Sequence, residues 1–133
     1  MAKDDNRDDG PILVVDDDPH LREALVCILE DEGHRVIQAA DGPTAVRLAK
    51  RHAPDLMVVD DSMPGMTGER VIGELRRALQ VDTPPALLIS ADPGPLNRVR
   101  SLGTVVGLEK PFNVPELLVA VERHRRRSSR DAS

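Results

Sequence analysis

The sequence predicts an α/β protein, a doubly wound five-stranded parallel sheet with five surrounding helices. Five short apolar runs alternate along the chain with five segments of helical periodicity, and this order of elements is typical of a parallel sheet covered on both faces. The apolar runs are mostly continuous, as they are in strands buried on both faces. The 133 residues, 40% of them hydrophobic, suit a single domain.

The first half of the chain supplies two strands and two helices in this interpretation. Ile12–Val15 is an aliphatic run that leads directly into acids, which predicts the first strand. Asp18 and Pro19 then supply an N-cap and a first-turn proline for the first helix. Val36–Ala39 predicts the second strand, and residues 41–43 predict a turn before the second helix. The expected inward positions are Leu21, Leu25, Cys27, Ile28 and Leu29 in the first helix, and Ala45, Leu48 and Ala49 in the second.

The second half of the chain repeats this alternation. Residues 56–59, 86–89 and 105–109 predict the third, fourth and fifth strands. The fourth helix is expected to be short, because residues 93–95, Pro-Gly-Pro, crowd its start. The last helix is predicted from residue 115 to about residue 125. The expected inward positions are Val71, Ile72, Leu75 and Ala78 in the third helix, Leu96, Val99 and Leu102 in the fourth, and Leu117, Leu118 and Val121 in the last.

Polar residues follow four of the predicted strands, at the point where each strand ends. Asp16 and Asp17 follow the first strand, Asp60 the third, Ser90 the fourth and Lys110 the fifth. In open α/β sheets, binding sites lie at the carboxyl ends of the strands, near the point where the strand order reverses. The sequence therefore predicts that these side chains converge on one rim of the sheet.

The chemistry of this predicted rim favours a divalent cation and a phosphoryl group. Crowded carboxylates repel one another unless a positive charge neutralises them, and Lys110 offers only one. Oxygen ligands favour a hard ion such as Mg²⁺. A carboxylate that lies beside Mg²⁺, a hydroxyl and an ammonium group suits the role of phosphoryl acceptor, because the cations offset the charge on the transferred oxygens.

Four short motifs together resemble the receiver domain of two-component response regulators. They are Val15-Asp16-Asp17, then Asp60-Asp61-Ser62-Met63-Pro64-Gly65, Ser90-Ala91 and Lys110-Pro111-Phe112. The resemblance covers about residues 11–125 and implies a flavodoxin-like fold that accepts a phosphoryl group from a phosphohistidine partner. Asp60 is the implied acceptor, because it stands four residues before Pro64 as the acceptor of that family does.

The resemblance also implies a role for each of the other rim residues. The implied Mg²⁺ ligands are Asp16, Asp17, Asp60 and the backbone carbonyl of Ser62. Ser90 is expected to donate a hydrogen bond to a phosphoryl oxygen. Lys110 is expected to pair with another phosphoryl oxygen, next to a cis peptide bond before Pro111.

Two positions depart from the pattern of the family. Gly107 stands where the family commonly has an aromatic ring that moves inward when the strand 4 hydroxyl is drawn to the phosphate. We therefore expect the signal to pass through the loop at Pro93 and the fourth helix. Asp61 adds an acid beside the acceptor, where it either strengthens the attraction for metal or is solvated, and we leave it out of the predicted metal site.

The predicted domain is flanked by charged segments. Residues 1–10 are expected to form a disordered arm, residues 11–125 the receiver domain, and residues 126–133 a disordered basic tail. The basic run that begins at Arg123 is interpreted as a solvated helix end. Because no residues remain for a DNA-binding output domain, we expect a stand-alone receiver that signals by docking to a protein.

Composition argues against several classes of function. Phe112 is the only aromatic residue, so base-stacking platforms are excluded. The body is acidic, which disfavours broad DNA binding. The longest apolar run, residues 24–29, is far shorter than the roughly 18 residues of a membrane span, and the acidic first ten residues contain no apolar signal segment. We expect a cytoplasmic protein without nucleic-acid or membrane partners.

Three functions remain open at the level of sequence. The leading one is a signalling module that is phosphorylated on Asp60 by a histidine kinase or histidine phosphotransfer protein and docks to a downstream protein, with no catalysis beyond its own phosphorylation and dephosphorylation. The second is an adaptor of the same fold that does not use phosphate. The third is a haloacid dehalogenase-type phosphohydrolase, which the Asp16-x-Asp18 spacing resembles, although His20 occupies the place of an expected small residue and the chain has no room for a cap.

Overall fold

The structure, a computed structural model, describes residues 10–61, 67–99 and 104–126 and contains one five-stranded parallel sheet of order β2-β1-β3-β4-β5. The strands are β1 (Ile12–Val15), β2 (Val36–Ala39), β3 (Leu56–Asp60), β4 (Ala86–Ser90) and β5 (Val105–Glu109). The helices are α1 (Pro19–Asp31), α2 (Gly42–His52), α3 (Gly68–Leu79), α4 (Pro93–Val99) and α5 (Val114–His124), with a 3₁₀ turn at Gln80–Asp82 after α3. The predicted fold class is confirmed.

Two apolar layers cover the two faces of the sheet. Alternate residues of each strand point to opposite faces, so that Leu13 and Val15 of β1 enter one layer while Ile12 and Val14 enter the other. The first layer is completed by α2, α3 and α4, and the second by α1 and α5. Because both faces are buried, the strand sequences are continuously apolar instead of alternating.

Polar side chains fix where the helices begin. The Asp18 carboxylate accepts the backbone N–H of His20 at 2.9 Å and begins α1. The Asp41 carboxylate accepts the N–H of Thr44 at 2.8 Å and begins α2. The prediction of a turn over residues 41–43 was therefore wrong in part: Asp41 is the N-cap, so Gly42 and Pro43 already belong to the first turn of the helix.

Two expected inward positions, Cys27 and Ala78, were predicted wrongly, because both residues are exposed. Cys27 is exposed on α1, because the buried stripe of that helix runs through Leu25, Val26 and Leu29. Helix α4 is short, as expected, with seven residues, whereas Leu102 lies outside the described residues, as do residues 1–9 of the predicted arm.

The amino-terminal edge of the sheet contacts Arg125 and Arg126, the two described residues that follow α5. Arg125, expected on a solvated helix end, is 7% exposed because its guanidinium lies 3.9 Å from the buried Asp55 carboxylate. Arg126, which the predicted boundary assigns to the tail, donates its backbone N–H to Asp55 O at 2.8 Å and its guanidinium to Thr83 O at 2.6 Å. Residues 127–133 lie outside the described residues. Among the described helices, none has the length and apolar character needed to cross a membrane.

Candidate functional site

The carboxyl edge of the sheet brings the predicted rim residues onto neighbouring strands. Asp16 directly follows β1, Asp60 is the last residue of β3, Ser90 is the last residue of β4, and Lys110 directly follows β5. Strands β1, β3, β4 and β5 are adjacent in that order. Because the pairing is parallel throughout, these four residues lie along one edge of the sheet.

A buried ion pair occupies the middle of this edge. The Lys110 ammonium nitrogen Nζ lies 2.7 Å from Oδ1 of Asp60, whose carboxylate is 3% exposed while the lysine side chain is 26% exposed. The backbone holds Lys110 in place, since its N–H donates to Ser90 O at 2.9 Å. The Lys110–Pro111 peptide bond is cis, as the sequence predicted. The aspartate is therefore shielded from water at a strand end and is paired with the Lys110 ammonium group.

Asp16 is a buried carboxyl group beside this pair. Burial raises the pKa of Asp16 to about 6; the backbone N–H of Asp18 opposes the rise, and the negative charge of Asp60 adds to it. One carboxylate oxygen, Oδ1, accepts that N–H at 3.0 Å. The other, Oδ2, is buried and accepts no hydrogen bond from any described residue. Such an oxygen has a lone pair available for a cation.

The donor set at this edge fits a hard cation such as Mg²⁺, although its carboxylates stand apart from one another. Within residues 10–61, 67–99 and 104–126, no three acidic, histidine or cysteine side chains are grouped at metal-binding distances. The negative charge of Asp60 is paired with Lys110. The bare buried oxygen of Asp16 and the partly exposed Asp17 nevertheless provide the oxygen ligands that Mg²⁺ prefers. Ser62, the remaining predicted ligand, lies outside the described residues, as does Pro64.

Ser90 lies at the same edge, and its hydroxyl is occupied by local partners. The residue is 2% exposed. Its Oγ accepts the backbone N–H of Asp92 at 3.0 Å and lies 3.1 Å from Asp92 O, and it also lies 3.4 Å from Oδ2 of Asp61. Asp92 in turn caps the start of α4, because its carboxylate accepts the N–H of Gly94 at 2.9 Å. The hydroxyl thus connects the rim to α4.

Asp61 is the site residue that sequence reasoning left out. Burial raises the pKa of its carboxyl, the backbone N–H of Glu69 and the Ser90 hydroxyl lower it, and the negative charges of Glu69 and Asp60 add to the rise. Its backbone N–H donates to Ile89 O at 2.8 Å, so that the residue is attached to the end of β4. The available signal was an extra acid directly after the last strand residue, but nothing in the sequence showed that it turns toward Ser90.

Gly107, the position that lacks the aromatic ring, is exposed and lies next to Leu96 of α4. A Cβ atom at Gly107 would lie 2.8 Å from Leu96 Cδ2 and 3.3 Å from Leu96 Cβ. A side chain at this position would therefore displace the leucine. A second contact ties α4 to its neighbour, since the Arg98 guanidinium Nε lies 3.0 Å and 3.1 Å from the two carboxylate oxygens of Glu69 on α3.

Comparison with known proteins gives a consistent result. The profile of the family described as response regulator receiver domain matches residues 12–122. The transcriptional regulatory protein KdpE of Mycobacterium tuberculosis is 35% identical over 120 residues, which are 89% of this chain but only 52% of that relative, so the chain spans about half its length.

Solved structures agree with this assignment. The chemotaxis protein CheY4 of Vibrio cholerae superimposes with a TM-score of 0.77 at 30% identity, covering 87% of this chain and 98% of that one. The receiver domain of the sensor histidine kinase PA1611 from Pseudomonas aeruginosa superimposes with a TM-score of 0.72 at 29% identity, covering 87% and 97% of the two chains, and that structure has a magnesium ion coordinated in its active-site cleft. This chain belongs to the receiver domain family of two-component response regulators.

Proposed function

We propose that this chain is a phosphorylation-switched signalling module in which Asp60 accepts a phosphoryl group from a histidine kinase or a histidine phosphotransfer protein. The observation that carries the proposal is the buried Asp60 carboxylate, which lies 2.7 Å from the Lys110 ammonium and close enough to the buried Asp16 to raise its pKa. A structural ion pair needs no additional buried acid, whereas a site for a cation and a phosphoryl group does.

The proposed reaction is a transfer between two side chains. A carboxylate oxygen of Asp60 attacks the phosphorus of the partner's phosphohistidine, and the new P–O bond forms as the P–N bond breaks. The imidazole of the partner leaves as the neutral base when its other ring nitrogen carries a proton, and otherwise it takes a proton from water. Lys110 moves from the carboxylate to a phosphoryl oxygen and keeps a positive charge at the developing anion. Hydrolysis of the acyl phosphate by water returns Asp60 to its initial state.

Mg²⁺ bound at this edge would supply positive charge to the transferred oxygens. Asp16, Asp17 and Asp60, with the Ser62 carbonyl, are the residues we propose to hold it. The buried Asp16 oxygen without a hydrogen-bond donor supports this assignment. The magnesium ion in the PA1611 receiver domain supports it by analogy.

The proposed output is a change at α4. If the Ser90 hydroxyl donates its one proton to a phosphoryl oxygen, that proton is no longer available to Asp92 O or to the Asp61 carboxylate. Asp92 caps α4, and Arg98 of α4 is paired with Glu69 of α3. Release of Ser90 would therefore loosen the start of this seven-residue helix, and a downstream protein would recognise the rearranged surface.

A second candidate, an adaptor that does not use phosphate, is favoured by one observation: Gly107 provides no ring to move, and even a Cβ atom there would lie 2.8 Å from Leu96 Cδ2. The phosphohydrolase alternative gains no such support, because the Asp18 carboxylate that it requires as a catalytic acid is engaged in capping α1.

The proposal is tested by intact-protein mass spectrometry after incubation with acetyl phosphate, with and without Mg²⁺. We expect one added phosphoryl group on the wild-type protein in the presence of Mg²⁺, and none on Asp60→Asn. The matched control is Glu109→Gln, which removes an exposed acid at the same sheet edge and should still be modified. The absence of an adduct on the wild-type protein would favour the adaptor, and sustained turnover of a phosphate ester would favour the hydrolase.

A further inference from the structure

Asp61 faces the hydroxyl that the proposed mechanism needs at the phosphoryl group. The contact is Ser90 Oγ to Asp61 Oδ2 at 3.4 Å, between the last residue of β4 and the residue after β3. The hydroxyl has one proton and two acceptors within reach, the Asp61 carboxylate and Asp92 O at 3.1 Å. A bond from Ser90 to a phosphoryl oxygen must therefore replace one of these two contacts.

The position of Asp61 is fixed by its surroundings. Its N–H donates to Ile89 O at 2.8 Å. On the other side α3 approaches closely: a Cβ atom at Gly68 would lie 2.8 Å from Asp60 O and 3.0 Å from Asp61 Cα, so only glycine fits there without displacement. Because the backbone is held on both sides, the Asp61 carboxylate can move only by rotation of its own side chain.

Resting on the proposed function, we propose that Asp61 is a positioning residue whose carboxylate holds the Ser90 hydroxyl in the unphosphorylated arrangement and competes with the phosphoryl group for it. A charged acceptor makes a stronger hydrogen bond to a hydroxyl than a neutral one. Asp61 thus sets how readily the module switches, in a chain whose Gly107 provides no aromatic ring to follow the hydroxyl.

This inference predicts that removal of the Asp61 carboxylate makes switching easier, and that the effect passes through Ser90. The probe is beryllofluoride with Mg²⁺, a mimic of the phosphoryl group, and the readout is its apparent dissociation constant, followed by amide NMR. Asp61→Ala should tighten binding about tenfold, because a hydrogen bond to a charged group is worth on the order of a factor of ten or more.

The loss of a negative charge next to Asp60 would by itself favour an anion, so the two effects are separated by a double-mutant cycle with Ser90→Ala. In the Ser90→Ala background, we expect Asp61→Ala to change the dissociation constant only about twofold, because only the screened effect of the lost charge then remains. Asp61→Asn, which keeps the shape of the side chain, should reproduce most of the gain. Glu109→Gln removes an exposed acid from the β5 residue that is paired in register with Ser90. The Ser90 hydroxyl is bonded to Asp61 and Asp92 and not to Glu109, so this variant should give the same small change in both backgrounds.

The possible results are distinct. A tenfold gain that disappears without Ser90 supports the positioning role. An equal gain in both backgrounds would show that Asp61 acts only through its charge. A loss of binding in Asp61→Ala would show that Asp61 helps to bind the phosphoryl group. Either result would overturn the inference and leave the proposed function intact. Failure of the wild-type protein to bind beryllofluoride would overturn the proposed function and the inference together.

Discussion

Strand β3 has a buried aspartate at each end, and the two ends of the strand surround these aspartates differently. Asp55 precedes the first residue of β3 and is 9% exposed, while Asp60 is the last residue and is 3% exposed. Each faces a cation from the carboxyl-terminal part of the chain: Arg125 lies 3.9 Å from the Asp55 carboxylate, and Lys110 lies 2.7 Å from that of Asp60.

The difference lies in the balance of charge. At the amino-terminal end, Asp55 is matched by Arg125 and also accepts, through its carbonyl, the backbone N–H of Arg126. At the carboxyl end, Asp16 and Asp61 are buried or partly buried beside Asp60, and burial raises the pKa of both. A buried carboxylate that is paired with a cation can join two parts of a fold. Several buried carboxylates with a single cation lower the stability of the fold, and we expect such a group where a positively charged ligand binds.

The largest expected effect is at the balanced end. Arg125→Ala leaves Asp55 buried without its guanidinium, and we expect the free energy of unfolding to fall by about 3 kcal/mol, as when one partner of a buried pair is removed. The measurement is urea denaturation at neutral pH. Arg123→Ala, at an exposed position of the same helix, is the control and should change stability by less than about 0.5 kcal/mol. Equal effects of the two substitutions would show that Arg125 does not join α5 to the sheet.

A smaller effect of opposite sign is expected at the acid-rich end. Asp16→Asn should raise the free energy of unfolding at pH 7, without divalent cations, by about 2 kcal/mol, because it removes a buried charge. The pKa of Asp16 is raised to about 6 in the folded protein. The folded wild-type protein therefore binds more protons than the unfolded chain below that pH, and its stability relative to the variant recovers as the pH falls through 6.

Denaturation of both proteins between pH 7 and pH 4 checks this prediction, and the advantage of the variant should be nearly gone at the lower limit. Glu109→Gln should show no comparable advantage at any pH, since that acid is exposed. A variant that is less stable than the wild-type protein at pH 7 would contradict the view that the acids at this end weaken the fold.

The smallest effect is expected for an exposed ion pair near the same end. The Arg98 guanidinium lies 3.0 Å from Glu69, but its side chain is 60% exposed. Arg98→Ala should therefore change the free energy of unfolding by less than about 1 kcal/mol, while exchange of the α4 amides with deuterium becomes several-fold faster and that of α5 is unchanged. A loss of stability as large as that of Arg125→Ala would remove the distinction between buried and exposed pairs.

The sequence was sufficient to predict the strands and the rim because those features are local. A continuous apolar run and the acid that follows it lie next to each other in the chain, and parallel pairing brings all such ends to one edge. The start of α2 was misplaced for a reason of the same kind. Asp41 is both a turn-forming residue and a helix cap, and only the hydrogen bond to Thr44 distinguishes the two.

The features that sequence reasoning missed depend on contacts between distant residues. Arg125 belongs to a basic run for which the sequence predicts a solvated helix end. It is buried because its guanidinium packs against the Asp55 carboxylate, seventy residues earlier in the chain. The contact of Asp61 with Ser90 depends on the direction of a side chain, and the approach of Leu96 to Gly107 depends on how α4 packs against β5. None of these has a signature in spacing or composition.

The most direct test of the central claim, that the acid-rich end is a cation site and the balanced end is not, is a titration of the wild-type protein with Mg²⁺ followed by amide NMR. We expect saturable shifts at Asp16, Asp17, Asp60 and Ser90, no shift around Asp55, and loss of the shifts in Asp17→Asn. Shifts of equal size at both ends of β3, or no saturable shift at the carboxyl end, would contradict the account.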